Sequence, residues 1–129
     1  MLANDIVLDK ADGTDVTFRL TQSDQTGTRR IDIGSTLALP ATLIIKHSVS
    51  GKTPNVIDRH LVQVNKTVAT TLGSTAVTAN FTLTVPRDVA VTAVIIHDVV
   101  SHLLDFLDDG ALTGFASTVN VDALLRGES

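Results

Sequence analysis

The sequence predicts an α+β domain in which an antiparallel sheet, opened by a hairpin, is followed by two helices. Three observations carry that prediction. Turn-forming residues cut the first two-thirds of the chain into runs rich in Thr, Val and Ile that alternate apolar with polar, the period of a strand. After Pro86 the apolar spacing lengthens to three and four, the period of a helix. The chain has 129 residues, 43% hydrophobic and 19% charged, which is enough for one buried core and leaves little room for a second domain, so residues 1–129 are read as a single domain.

Taken in order, Asp5-Ile6-Val7-Leu8 and Val16-Thr17-Phe18-Arg19-Leu20 flank Asp12-Gly13, a dipeptide suited to the positive φ angles of a hairpin turn. Arg30 to Ile33 is a short third strand bounded by Gly27 and Gly34. Pro40 opens a fourth, Ala41 to Ser50, which stops at the loop sequence Ser50-Gly51-Lys52-Thr53-Pro54-Asn55. Val56 to Thr70 forms the fifth. Thr71 to Thr75, with Gly73 among small polar residues, reads as a flexible loop, and Val77 to Val85 alternates again as far as Pro86.

From Val89 to Leu107 the residues His97, Asp98, Ser101, His102 and Asp105 fall on one polar stripe of a helix. Two Asp near its middle exclude a membrane span, because a carboxylate in hydrocarbon is costly. The apolar side, with Val91, Val94, Ile95, Val99, Val100, Leu103, Leu104 and Leu107, is wider than the roughly 100° arc that covers a helix's own core. Such a helix needs a second partner surface. Gly110 is expected to end it, and Asn120 to cap a short last helix through Leu124-Leu125-Arg126. Helices on one face of the sheet leave the other face to solvent or a ligand.

The formal net charge is −4, which argues against a polyanion partner until its distribution is read. Between Ala41 and Arg87 stand Lys46, Lys52, Arg59, Lys66 and Arg87 against Asp58 alone, a balance of +4. From Asp88 onward Arg126 stands against Asp88, Asp98, Asp105, Asp108, Asp109, Asp122 and Glu128, a balance of −6. A basic middle and an acidic end suggest two electrically different faces.

Catalytic chemistry finds little support. The absence of Cys excludes disulfides, thiolate metal sites and a Cys nucleophile together. His97 and His102 are five apart, whereas paired ligands on one helical face usually sit four apart with a third nearby; they and His47 and His60 are read as ordinary polar residues. Nucleophile-elbow, P-loop and dinucleotide-binding glycine patterns are missing, so no catalytic residue, metal site or cofactor is assigned. The sequons Asn65-Lys66-Thr67 and Asn80-Phe81-Thr82 lie in expected strands. The start of the chain shows no basic segment leading into an apolar one, so no secretory signal and no glycosylation are expected.

Alternation along the long strands is more informative. Leu43, Ile45, His47 and Val49 share one face of their strand, and Ile44, Lys46, Ser48 and Ser50 the other; His60, Val62 and Val64 oppose Arg59, Leu61, Gln63 and Asn65; Phe81, Leu83 and Val85 oppose Asn80, Thr82 and Thr84. Three strands thus combine an apolar face with one of Lys, Arg, Ser, Gln, Asn and Thr. That polar face reads either as a wetted sheet surface or as a polyanion platform. The chain's aromatics are Phe18, Phe81, Phe106 and Phe115, so strong base stacking is not expected.

With these features the chain resembles the coat proteins of the small single-stranded RNA bacteriophages, the leviviruses. The resemblance covers essentially the whole chain and rests on size, strand order, the loop-flanked pair Thr42 to Ser50 and Asp58 to Val64, the segment Phe81-Thr82-Leu83-Thr84-Val85-Pro86, and two C-terminal helices. It implies an N-terminal hairpin and a five-stranded antiparallel sheet, with two subunits intertwined into a homodimer that has one ten-stranded sheet. The helix residues Val99, Leu103 and Leu107 would lie at the dimer interface. The dimers would build an icosahedral T=3 capsid in the bacterial host cytoplasm, with Thr71, Leu72, Gly73, Ser74 and Thr75 matching the family's contact loop. The inner sheet face would bind viral single-stranded RNA through Lys46, Ser48, Arg59, Gln63, Asn80 and Thr82, including, in well-studied members, an operator hairpin whose binding represses replicase translation. Leu61 stands where relatives often place a basic residue, and Tyr is absent. A second reading is a small cytoplasmic α+β dimer that binds a ligand or partner through its sheet without assembling.

Overall fold

The computed structural model describes residues 2–108 and 118–128. Six strands, β1 (Asp5–Asp9), β2 (Asp15–Ser23), β3 (Gly27–Asp32), β4 (Ala41–Lys52), β5 (Asn55–Thr70) and β6 (Gly73–Pro86), precede the helices α1 (Ala93–Leu107) and α2 (Thr118–Leu125). The fold class is α+β, as the sequence predicts. All six strands form one antiparallel sheet in sequence order. The N-terminal hairpin is therefore continuous with the sheet and six strands stand among the described residues, where a hairpin beside a five-stranded sheet was expected. Pairing of Phe18, Arg19 and Leu20 with Asp32, Ile31 and Arg30 makes the hairpin continuous with the sheet, and a bulge between Leu20 and Gln22 carries β2 past its expected end to Gln22 opposite Arg29.

The described residues group into two compact units, one of residues 1–8 with 16–87 and one of 9–15 with 88–129. In the first unit the core lies on one face of the sheet. Phe18, Ala41 and Leu43 are buried there, with Ile6, Val16, Val62 and Val64 packed against them. Cross-strand pairing makes this one surface, since Leu43 faces Val64 and Ile45 faces Val62. Gly27 lets β3 approach β4, because a Cβ there would collide with the Ile45 carbonyl.

Two connections are tighter than expected. The β4–β5 ladder continues through Gly51 and Lys52 to the pair Lys52 and Asn55, so only Thr53 and a cis Pro54 link the strands. The expected loop of residues 71–75 shrinks to Thr71 and Leu72. Gly73, at φ 137°, supplies the backbone conformation that closes this hairpin, and Gly73, Ser74 and Thr75 pair with Thr70, Ala69 and Val68. β6 pairs with β5 along one edge, and its other edge forms no ladder among the described residues.

In the second unit α1 starts later than the apolar pattern suggests. The Asp88 carboxylate accepts from Ala90 N–H, its carbonyl accepts from Val91 N–H, and Thr92 caps the helix by accepting from Ile95 N–H. Val91 thus precedes the helix. At the other end the Asp108 N–H donates to the Leu104 carbonyl; Gly110, the expected terminator, lies outside the described residues. Asn120 sits inside α2 and is not its cap. Its side-chain amide donates to the Phe106 carbonyl at 2.6 Å and so ties α2 to the last turn of α1. No residue of α1 is buried, and no helix is long and apolar enough to cross a membrane among the described residues.

Candidate nucleic-acid interface

The ladders of β4, β5 and β6 arrange the polar residues in rows. Ser48, Arg59 and Thr84 form one row, Lys46, Leu61 and Thr82 the next, and Ile44, Gln63 and Asn80 the third. Each row lies on one face because directly paired residues project to the same side of a sheet. Lys46, Ser48, Arg59, Gln63, Asn80 and Thr82 therefore share a surface, as alternation predicts. Gln63 is half-buried and the other five are exposed. The Gln63 amide donates to the Asn80 carbonyl oxygen at 2.8 Å, which fixes both side chains and leaves the Asn80 NH2 and the Gln63 oxygen for a ligand.

Pairing also extends this face onto residues the sequence reading missed. Arg29 is opposite Ile44, and the bulge brings Gln22 opposite Arg29, so the third row continues across five strands. With Thr26, Lys46 and the Asp24 carboxylate they line a cleft of about 170 Å³. Asp24 accepts from the Thr26 N–H and hydroxyl, each at 2.7 Å, and from the Gly27 N–H at 2.9 Å. Those hydrogen bonds, Thr26's foremost, hold its carboxyl below the usual value. A strand starting at Gly27 with period 2 would have set Arg29 opposite in orientation to Arg30; that start was the missing signal.

Three ion pairs occur among the described residues, Arg19 with Asp5, Arg87 with Asp58 and Arg126 with Glu128. None uses Arg29, Lys46 or Arg59. Asp58, the single acid of the basic segment, lies on the opposite face in line with His60, where Arg87 grips it through bonds of 2.9 and 2.7 Å. The polar face therefore keeps an excess of positive charge although the whole chain is acidic, which suits phosphate contacts.

The remaining candidates fall elsewhere. His47 and His60 meet across β4 and β5 on the apolar face, with Nδ1 atoms 2.9 Å apart and ring centroids 5.1 Å apart. That geometry is one N–H···N hydrogen bond between rings. His97 and His102 are exposed on α1, and among the described residues no three potential metal ligands cluster. Val99 and Leu103 are 57% and 43% exposed, and Leu107 is half-buried. At the β5–β6 turn Leu72 is 98% exposed.

No family model and no curated protein sequence matches the chain. Solved structures do. The coat protein of bacteriophage EMS014 superposes with a TM-score of 0.73 over 99% of this chain and 98% of its own, at 17% identity. The virus-like particle of bacteriophage NT-214 gives 0.68 over 98% and 97%, at 12% identity. That of Beihai levi-like virus 21 gives 0.64 over 100% and 98%, at 13% identity.

Proposed function

We propose that this chain, which has the fold of levi-like phage coat proteins, is a non-enzymatic capsid subunit. The observation that carries the reading is the likeness to coat proteins along the full length of both chains. In this reading two subunits form a homodimer, and the structure offers two surfaces suited to it. One is the edge of β6 that forms no ladder among the described residues, which could continue into a twelve-stranded sheet with the six strands of a partner; the other is α1, whose Val94, Ile95, Val99, Leu103 and Leu104 are 43–67% exposed. Dimers then assemble in the host cytoplasm into a T=3-like shell, with the exposed Thr71-Leu72 turn at intersubunit contacts.

The polar sheet face would line the interior and hold viral single-stranded RNA. Arg29, Lys46 and Arg59 would contact phosphates, and Ser48, Gln63, Asn80 and Thr82 the sugars and base edges. Among the described residues no aromatic stands on that face, so discrimination between sequences should be weak, and any repression of replicase translation through a hairpin would rest on hydrogen bonds. Expression in bacteria followed by size-exclusion chromatography and negative-stain microscopy tests the proposal. RNA-filled particles are expected. Soluble dimers that never assemble would instead support a small sheet-based binding protein.

A further inference from the structure

His47 and His60 stand directly opposite each other in the β4–β5 ladder. The His47 N–H is spent on its other neighbour, donating to the Thr26 carbonyl at 2.7 Å. In an antiparallel ladder a residue turns its N–H and C=O to the same side, so toward β5 His47 makes a non-hydrogen-bonded pair with His60. Such pairs bring Cα atoms to about 4.5 Å and side chains closest together. The rings meet accordingly, with Nδ1 atoms 2.9 Å apart and planes inclined at 69°. One Nδ1 carries a proton and the other offers its lone pair, since two bare or two protonated nitrogens at that distance would repel. Around them the same face of the sheet holds Ile45 and Val49 on β4, Val62 on β5 and Leu83 on β6.

We propose that His47 and His60 chelate a divalent transition-metal ion through both Nδ1 atoms, and that the ion is one with tetragonal geometry, copper(II) or nickel(II). Nitrogens at neighbouring positions of a square-planar or octahedral ion, with metal–nitrogen bonds of about 2.0–2.1 Å, lie about 2.9 Å apart; at the tetrahedral angle that suits zinc they lie about 3.3 Å apart. The observed 2.9 Å fits the first. Chelation leaves the backbone as it is. The proton on one Nδ1 passes through solvent to Nε2 of its own ring, both lone pairs turn to the ion, and two metal-bound waters leave. Both rings stay neutral, and nothing is oxidised or reduced. His47 is exposed and His60 half-buried, so the remaining positions of the ion stay open to water. Arg30 borders the cleft that His47 walls, with its guanidinium held by the Ala3 and Asn4 carbonyls and the Thr28 hydroxyl; its charge lowers the affinity for a cation without closing the site. The ligands are thirteen residues apart, so register and no spacing motif brings them together. They lie on the sheet face opposite Lys46 and Arg59, and the inference is independent of the capsid and RNA readings.

Titration of the purified, chelator-stripped chain with copper(II), read by calorimetry and by electron paramagnetic resonance, gives the test. A one-to-one site is expected, with a tetragonal spectrum coupled to two nitrogens and a higher melting temperature, because only the folded sheet places both rings. His47→Gln and His60→Gln should each weaken binding on the order of a hundredfold and remove the two-nitrogen signature, since the second imidazole of a chelate acts at a high effective concentration. His97→Gln combined with His102→Gln should leave affinity and spectrum unchanged. Parent-like binding in either the His47 or the His60 variant would overturn the proposal, as would its loss in the α1 double variant. Should a Gln variant fail to fold, the parent spectrum decides, and coupling to fewer than two nitrogens counts against the site.

Discussion

Asp58 and Arg87 neutralise each other by two short hydrogen bonds, and the pair sets a pH dependence that can be signed. The hydrogen bond from Arg87 is the main reason the Asp58 carboxyl titrates below its ordinary value of 3.8, aided by the charges of Arg87 and His60. Asp12 and Asp24 are lowered too, chiefly by hydrogen bonds from Thr14 and Thr26. A carboxyl lowered on folding contributes stability that is present above the unfolded value and lost as pH falls through the folded one. Asp9 runs the other way: its hydrogen bond to Asp15 raises it, so its contribution is present in acid and lost as pH rises. Asp58→Asn should therefore be less stable than the parent chain at neutral pH, and the gap should close below about 3.8. Thermal melts across that range check it, and a gap that persists in strong acid would assign the loss to something other than this ion pair.

For the elements, the exposed apolar stripe of α1 sets the clearest expectation. Val99→Asp or Leu103→Asp puts a carboxylate where the proposed interface is driest and should give insoluble or unfolded protein. A soluble, well-folded monomer from either would contradict the interface. The β5–β6 turn makes a second case. Replacing Thr71-Leu72 by Asn-Gly keeps a two-residue hairpin but removes the exposed leucine, so dimers should persist while particle closure changes, as microscopy would show. What the sequence made legible at this scale follows from the backbone's own periods. Alternation assigned the faces of β4, β5 and β6 correctly because period 2 is a property of the chain. Arg29 escaped because β3 starts at Gly27, where the close approach to the Ile45 carbonyl needs a glycine, and Gln22 escaped because the bulge after Leu20 brings it opposite Arg29; both are effects of pairing. Ser74 and Thr75 carry no local signal that separates loop from strand; the register with Ala69 and Val68 decides them. Asn120 looked like a cap because its residue type favours caps, yet the Phe106 carbonyl claimed its amide.

For the whole molecule, charge segregation is what would reconcile an acidic chain with the proposed RNA partner. Arg29, Lys46 and Arg59 line one face while half of the acidic residues, seven of fourteen, lie from Asp88 onward, so long-range repulsion is offset where contact would occur. Lys46→Ala with Arg59→Ala should lower RNA binding and packaging while the dimer stays folded, and adding Arg29→Ala should lower them further. Each lost phosphate contact also lowers the salt dependence, so the deficit should shrink at high salt. Gel-shift titrations at two ionic strengths read both effects, and unchanged affinity at low salt would move RNA to another surface. The strand order has one more consequence, in time. Because each strand pairs with its predecessor in the chain, the sheet can zip up hairpin by hairpin as the polypeptide leaves the ribosome, without waiting for distant segments. The β6 edge that forms no ladder among the described residues and the apolar stripe of α1 are synthesised after β1 to β5. Translation itself would thus withhold the adhesive surfaces until the scaffold behind them is complete, a safeguard against premature aggregation on crowded polysomes.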